Sequence, residues 1–102
     1  MYSATEPLSF YNVEDMDEAW LKSFREKLDK HYAWPSVYTF KFIVPREQEE
    51  EVRLLFPRHE ASERSSKNGN YTSFTVQMMM PSSEAVIEIY QSAAHIKGII
   101  AL

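Results

Sequence analysis

The stretch VYTFKFIV, residues 37–44, decides the fold because its apolar side chains recur with a period of two. The residues that share one side are Tyr38, Phe40, Phe42 and Val44. This alternation is typical of a β-strand with one buried side. The stretch YTSFTVQMMM, residues 71–80, alternates in the same way through Phe74, Val76 and Met78. The two stretches predict the middle strands of one sheet.

The two segments that follow these strands have the apolar spacing of helices. REQEEEVRLLF, residues 46–56, carries a narrow stripe of Val52, Leu55 and Phe56. In residues 81–96, Ser82 is the expected helix cap. The buried stripe of this second helix is predicted to be Val86, Ile89, Tyr90, Ala93 and Ile96. Gly98 is expected to end the helix, and IIAL, residues 99–102, to form a last strand.

A polar segment, HEASERSS at residues 59–66, is weak as a strand on propensity alone. The Asn68-Gly69 pair that follows is the strongest short signal for a two-residue type I′ turn, whose central residues need positive φ. The predicted register pairs Lys67 with Asn70, Glu63 with Phe74 and Ala61 with Val76. A polar strand paired on one side only is typical of a sheet edge.

The order after Pro35 is therefore β-α-β-β-α-β, which predicts an α+β, ferredoxin-like sandwich. Right-handed crossovers place both helices on one side of a four-stranded antiparallel sheet, with strands 1 and 3 in the middle. The other side is expected to be open and polar, with mixed charge. Its predicted residues are Thr39, Lys41, Glu60, Ser62, Arg64, Tyr71, Ser73, Thr75 and Gln77.

An N-terminal extension, residues 1–33, precedes the domain predicted for residues 34–102. Residues 1–12 show no sustained period and are expected to be a flexible lead-in. Residues 14–30 predict a helix with one apolar face, formed by Met16, Trp20, Phe24 and Leu28, with Leu21 beside it. So large an apolar stripe is rarely left in solvent, which favours docking on its own chain or an interface with another chain. A mobile helix is the third alternative.

Composition excludes several classes of function. The 102 residues carry a formal charge of -4 and no cysteine. The lack of cysteine excludes a disulfide framework, a thiolate zinc site and a thiol nucleophile. The acidic balance opposes nucleic-acid binding. No apolar run approaches the roughly 18 residues that a membrane span needs, and the first residues are acidic where a signal peptide is basic, so we expect a cytoplasmic protein.

No arrangement of residues points to catalysis, a cofactor or a metal. His31, His59 and His95 lie in three different elements without metal-ligand spacing, so we interpret them as surface residues. The EQEEE run, residues 47–51, is interpreted as complementing a helix dipole. The segment SSKNGN, residues 65–70, could bind an anion, but a hairpin explains it without a ligand. Met79 alone is expected to be exposed in the methionine run.

RNA recognition is the alternative that the element order raises. RNA-recognition domains place stacking aromatic residues on the open side of the two central strands. Here only Tyr71 is predicted to point outward from the third strand. Together with the acidic balance, this pattern makes RNA binding an unfavoured alternative.

Three segments resemble the YbeD-like family of small bacterial proteins. They are Trp34-Pro35 with residues 38–42, the hairpin of residues 64–73, and Ile89-Tyr90 leading to residues 95–97. The chain departs from the family pattern by an extra Asn68 in the turn, by Ala94 where leucine is usual, and by the N-terminal extension. The resemblance implies a fold similar to ACT-type regulatory domains, which bind amino acids or other small effectors and often pair side by side. A regulatory role linked to lipoate metabolism has been suggested for this uncharacterised family, and no catalytic residues carry over.

We therefore expect a non-enzymatic regulatory module that binds a small effector or a protein partner. The candidate binding residues, on the hairpin and its neighbouring strand edge, are Ser65, Ser66, Lys67, Asn70, Tyr71 and Ser73. The alternative is a protein–protein adaptor that uses Trp20, Phe24 and Leu28 of the N-terminal helix. A small enzyme lacks a defensible nucleophile–base pair. Exposed sheet edges also predict a homodimer.

Overall fold

The computed structural model describes the backbone of residues 11–12 and the whole of residues 17–102. Its elements, in chain order, are β1 (Tyr11–Asn12), α1 (Glu18–His31), β2 (Ser36–Pro45), a 3-10 turn (Arg46–Gln48), α2 (Glu49–Leu55), β3 (Ser62–Ser65), β4 (Tyr71–Met80), α3 (Ser83–Ala93) and β5 (Ile100–Ala101). The Trp34–Pro35 peptide bond before β2 is cis.

The strands form one antiparallel sheet in the order β1-β5-β2-β4-β3. β2 and β4 pair over their full length, with Phe40 opposite Val76 and Phe42 opposite Phe74. These are the two stretches that alternate with a period of two, and β3 lies at an edge. The predicted α+β, ferredoxin-like arrangement with an additional N-terminal helix is confirmed.

The start of the chain differs from the prediction of a lead-in over residues 1–12. Tyr11 and Asn12 pair with Ala101 and Ile100, so β5 has strand neighbours on both sides. The outer backbone groups of β5 would otherwise lack partners, and two residues are too few to show a period in the sequence. Residues 1–10 lie outside the described part of the chain.

The hairpin register is confirmed, whereas its extent is smaller than predicted. Glu63 lies opposite Phe74, but the ladder stops at Ser62 opposite Thr75 and does not reach Ala61. Glu60, which the alternation placed on the open side of the sheet, precedes β3 in a loop.

The helix boundaries depend on caps that the sequence signals in part. Asp17 accepts a hydrogen bond from the Trp20 N–H at 2.8 Å, so α1 begins at Glu18 rather than at residue 14. The predicted apolar residue Met16 lies outside the described residues. Ser82 caps α3 by accepting from the Ala85 N–H at 3.1 Å, as predicted.

The end of α3 corrects the prediction that the helix continues to Gly98. α3 stops at Ala93, and residues 94–98 form tight turns in which the Ile96 N–H donates to the Ala93 carbonyl at 2.9 Å. Gly98 has a φ of +78°, and a Cβ atom there would lie 2.9 Å from Cγ of Pro45. Glycine at this position therefore allows the chain to pass close to β2 before it enters β5.

The core fills the space between one side of the sheet and the three helices. The side chains that line this space from the sheet are Tyr38, Phe40, Phe42, Val44, Phe74, Val76 and Met80. The helices contribute Phe24, Leu28, Val52, Val86, Ile87, Tyr90 and Ala93. Ile87 is fully buried although the predicted stripe omitted it, and Ile89 is only half-buried. Met78 packs partly against the core, and Met79 is 61% exposed, as predicted.

Two buried tyrosines satisfy each other's polar groups within this core. The hydroxyls of Tyr38 and Tyr90 lie 3.0 Å apart in a hydrogen bond. Burial raises the pKa of Tyr38 to about 12, and burial also raises the pKa of Tyr90. Both phenols are therefore neutral at ordinary pH, and the pair joins β2 to α3.

None of the helices in the described part of the chain combines the length and the apolar character needed to cross a membrane.

Candidate functional site

The hairpin between β3 and β4 has a four-residue loop rather than the predicted two-residue turn. The Ser66 N–H donates to the Tyr71 carbonyl at 2.8 Å, which leaves residues 67–70 as the loop. Inside it, the Gly69 N–H donates to the Ser66 carbonyl at 3.0 Å, and Gly69 has a φ of +78°. Lys67 and Asn70 are therefore the first and last residues of the loop and do not form the predicted ladder pair, although the register of the strands beyond the loop is the predicted one.

Side chains explain why the wider loop forms. The Ser66 hydroxyl accepts from the Tyr71 N–H at 3.0 Å and donates to Oδ1 of Asn68 at 3.2 Å. The same Oδ1 accepts from the Asn70 N–H at 3.4 Å. An asparagine that bonds to the backbone two residues further on stabilises a turn by itself. Ser66 and Asn68 thus hold the loop, and the Ser66 hydroxyl and Oδ1 of Asn68 are already engaged in its hydrogen bonds.

Arg46, which follows β2, ties the loop to the rest of the domain. Its N–H donates to the Asn70 carbonyl at 3.0 Å, and its Nη1 atom lies 3.4 Å from the Gly69 carbonyl oxygen. The loop is therefore bound to the neighbouring strand end by backbone and side chain together.

The structure brings the predicted binding residues to one end of the sheet but gives them different roles. Ser65 ends β3 and is exposed, as are Lys67 and Asn70 in the loop. Tyr71 begins β4 and is 48% exposed on the side of the sheet that no helix covers. Ser73, two residues on, donates from its hydroxyl to the Arg64 carbonyl at 3.4 Å. Ser65, Lys67, Asn70 and Tyr71 are the exposed members, whereas Ser66 and Ser73 are half-buried.

The residues predicted to form a helix interface lie against the chain's own core. Phe24 and Leu28 are each only 4% exposed, and Trp20 is partly buried. The rings of Phe24 and Tyr90 are 5.7 Å apart, and Arg25 forms a 3.0 Å ion pair with Glu84 of α3. The sequence left three alternatives for the apolar face of α1, and the structure shows that it docks within its own chain. The helix lies beside α3 and not on the uncovered side of the sheet.

Arg53 connects α2 to the sheet edge, a role that sequence reasoning missed. Its guanidinium contacts Glu63 of β3 at 2.8 Å, Glu49 at 3.3 Å and Glu50 at 3.2 Å. It also lies 5.9 Å above the Phe74 ring. The hydrogen bond from Arg53 lowers the pKa of Glu63 below its ordinary value, and the hydrogen bond to Glu63 raises the pKa of Arg53.

The acidic run before Arg53 is thus more than a dipole complement. Glu49 also accepts a hydrogen bond from the hydroxyl of Thr72, a buried residue of β4. The spacing of Glu49 and Glu50 to Arg53, four and three residues, is the signal that could have indicated these pairs. The contacts of Arg53 with Glu63 and of Glu49 with Thr72 could not be predicted without the register of the sheet.

The three histidines are all exposed, as the sequence interpretation had them. Within residues 17–102, no group of three or more histidine, aspartate or glutamate side chains is placed to hold a metal ion.

These observations define a class of protein: a two-layer α+β domain of ferredoxin-like topology, with helices on one side of the sheet and an uncovered side that ends in a tied hairpin. The chain belongs to the family described as "Protein of unknown function (DUF493)", whose model matches residues 29–102. The match begins near the end of α1 and includes the whole of the domain predicted from residue 34. Comparisons with curated proteins and with solved structures give no match.

Proposed function

We propose that this domain is a non-enzymatic binding module with a regulatory role, and that it binds through the hairpin and the adjoining uncovered side of the sheet. The observation that carries the proposal is the placement of Lys67, Asn70 and Tyr71. All three are exposed at one end of that side: Lys67 and Asn70 lie in a loop held by Ser66, Asn68 and Arg46, and Tyr71 begins the strand that follows it. A rigid support for exposed polar and aromatic groups lowers the entropy cost of binding.

The hydrogen bonds of the hairpin serines support binding rather than catalysis. The Ser66 hydroxyl donates to an asparagine oxygen, and the Ser73 hydroxyl donates to a backbone carbonyl. Neither acceptor can take a proton as a general base does, so neither serine is activated as a nucleophile. The proposal therefore assigns the hairpin no chemical step.

The resemblance to the YbeD-like family supports the same role. The hairpin Ser65–Ser73 and the closing Ile89-Tyr90 segment resemble the YbeD-like pattern, and we propose that family name, and with it a bacterial source, for this chain. Members are similar in fold to ACT-type domains, for which regulation by small effectors is the implied activity. We also propose a cytoplasmic location, because a cysteine-free chain of this composition suits a reducing compartment.

We further propose that two copies of the chain pair side by side. β3 is the last strand in the sheet order, and its four residues are exposed. A strand edge of this kind offers backbone groups to a second strand. Light scattering on the full chain at high micromolar concentration is expected to give twice the mass of 12.0 kDa, and a monomer mass would contradict the pairing.

The experiment for the binding role is a thermal-shift screen of the full chain against amino acids, nucleotides and lipoyl compounds. A ligand that binds the native state raises the melting temperature. The expected ligand loses its effect with Lys67→Ala and Asn70→Ala, whereas Lys27→Ala on α1 retains it. Lys27 is a matched control because it is an exposed lysine in a different element. A ligand whose effect survives both hairpin variants would place the binding site elsewhere.

A further inference from the structure

The uncovered side of the sheet has a defined composition because the strand register fixes which residues it carries. Residues with odd numbers in β2 and β4 point away from the buried core residues between them. Ser62 and Arg64 of β3 lie opposite Thr75 and Ser73, so they share this side. The two central rows are Lys41–Thr75–Ser62 and Ile43–Ser73–Arg64. These six residues, together with Val37, Thr39, Tyr71, Gln77 and Met79, form the open side of the sheet.

Charge is segregated between the two sides of the domain. Lys41 and Arg64 are the charged residues of the open side, and both are exposed cations. Glu63, the other charged residue in β3, points to the helix side and is bound by Arg53. The remaining acidic residues described lie in helices, caps or loops. Within residues 17–102, the sheet therefore presents a positive surface although the chain as a whole has a net charge of -4.

Apolar groups are concentrated on the same surface. Of the four large apolar side chains described as most exposed, three are on the open side: Val37 at 51%, Tyr71 at 48% and Met79 at 61%. Val37 and Met79 are direct cross-strand partners, and Tyr71 lies at the opposite end beside the hairpin. Neighbouring exposed apolar side chains rimmed by polar residues, such as Val37 and Met79, mark an interaction surface, and Tyr71 adds a separate apolar group at the other end.

We propose that the open side docks an acidic, amphipathic helix of a partner protein. This inference rests on the binding role proposed above and names the kind of partner. The open side offers exposed apolar groups beside two cations, a combination that matches an amphipathic helix whose apolar face is flanked by carboxylates. Lys41 and Arg64 are two strands and one row apart, about 12 Å between their Cα atoms from ordinary strand spacing. Carboxylates two turns apart on a helix, at about 10–12 Å, can pair with both.

RNA is the competing occupant, and the surface favours protein. Base stacking requires aromatic side chains on the central strands, whereas the central rows of the open side carry Lys41, Thr75, Ile43 and Ser73. Among the side chains that the structure describes, Tyr71 is the aromatic one on this side, and it lies at the end of the strand. Two cations also give fewer phosphate contacts than nucleic-acid binding commonly uses.

The test is selection of helical peptides from a phage-displayed library on the full chain, followed by fluorescence anisotropy with the selected peptide. We expect an acidic consensus with two carboxylates two turns apart. The double variant Lys41→Glu/Arg64→Glu is expected to weaken binding at least tenfold and the neutral variant Lys41→Gln/Arg64→Gln to weaken it less. The matched control Lys27→Glu/Arg58→Glu reverses two exposed cations elsewhere and is expected to change binding less than twofold. Circular dichroism melts verify that each variant is folded.

Several outcomes would overturn the inference. A selected consensus without acidic residues, unchanged binding by folded Lys41→Glu/Arg64→Glu or Lys41→Gln/Arg64→Gln, or tighter binding of a single-stranded RNA oligonucleotide to the same residues each contradicts an acidic protein partner. If small ligands still raise the melting temperature through Lys67 and Asn70, the proposed binding role survives and only the partner class fails. If neither peptides nor small ligands bind the wild-type chain, both proposals fail.

Discussion

Gly69 and Gly98 share a φ of +78° but differ in what surrounds them. A Cβ atom at Gly98 would lie 2.9 Å from the Pro45 ring, while one at Gly69 would lie 3.5 Å from the mobile end of the Arg46 side chain. A non-glycine residue with positive φ costs about 1–2 kcal/mol by itself. Only Gly98 adds a steric conflict to this cost, because the proline ring cannot move aside as a flexible side chain can.

We therefore expect Gly98→Ala to destabilise the domain more than Gly69→Ala. The Gly69 variant should lose about 1 kcal/mol, and the Gly98 variant about 2 kcal/mol or more, since overpacking adds about 1–3 kcal/mol. Urea unfolding followed by circular dichroism measures both. Equal losses would show that the chain does not pass close to Pro45 at Gly98.

The ion pair of Arg53 and Glu63 makes stability depend on pH in a defined direction. The pKa of Glu63 is lowered in the folded state from an ordinary value of 4.5. The stabilisation is therefore complete above that value and is lost as pH falls through the lowered folded-state pKa. We expect the stability difference between wild type and Glu63→Gln to be constant near neutral pH and to shrink below pH 4.5. A difference that stays the same down to pH 3 would mean that Glu63 is not paired.

At the scale of elements, α1 is part of the helix layer rather than an appendage. Its apolar stripe contacts α3 through Phe24 and Tyr90, Leu28 is buried in the same core, and the ring of Tyr32 beyond the helix end lies 5.5 Å from the Tyr38 ring. The periodicity predicted this stripe correctly. It could not predict where the stripe docks. The apolar spacing of a helix is the same whether it packs in the helix layer or on the open side of the sheet.

Truncation of the buried stripe should therefore unfold the domain as a whole. Phe24→Ala is expected to cost about 3–5 kcal/mol, as for other fully buried phenylalanines. Leu54→Ala on α2 is the control, because Leu54 is 67% exposed and a surface change of this kind costs within about 0.5 kcal/mol. Loss of less than about 1 kcal/mol in the Phe24 variant would show that α1 is not part of the core.

The elements predicted best are those whose structure follows from a single local sequence signal, such as alternation or a helix cap. β2 and β4 follow from alternation, and the α3 start follows from Ser82. The hairpin loop was mispredicted because the Ser66 and Asn68 side chains override the two-residue turn that Asn68-Gly69 favours. β1 was missed since two residues carry no period, and the Arg53–Glu63 contact was missed since it joins segments ten residues apart.

For the whole molecule, the alternation in two strands was sufficient to predict which side of the sheet is open. The positive charge of that side was not predicted, because the predicted open side included Glu60. In the structure β3 begins at Ser62, so Glu60 lies in the preceding loop. The sequence alone was enough to choose the candidate hairpin residues. The hydrogen bonds of the structure were needed to separate the residues that hold the loop, such as Ser66, from the exposed ones, such as Lys67.

The measurement that tests the account most directly is thiol labelling, because the chain has no cysteine of its own. Gln77→Cys reports on the open side, and Leu28→Cys reports on the buried face of α1, which is 4% exposed. We predict that the thiol at 77 reacts at the rate of a free thiol in the native full chain, while the thiol at 28 reacts only upon unfolding. A protected thiol at 77 together with a reactive thiol at 28 would contradict a sheet covered by its helices on one side and bare on the other.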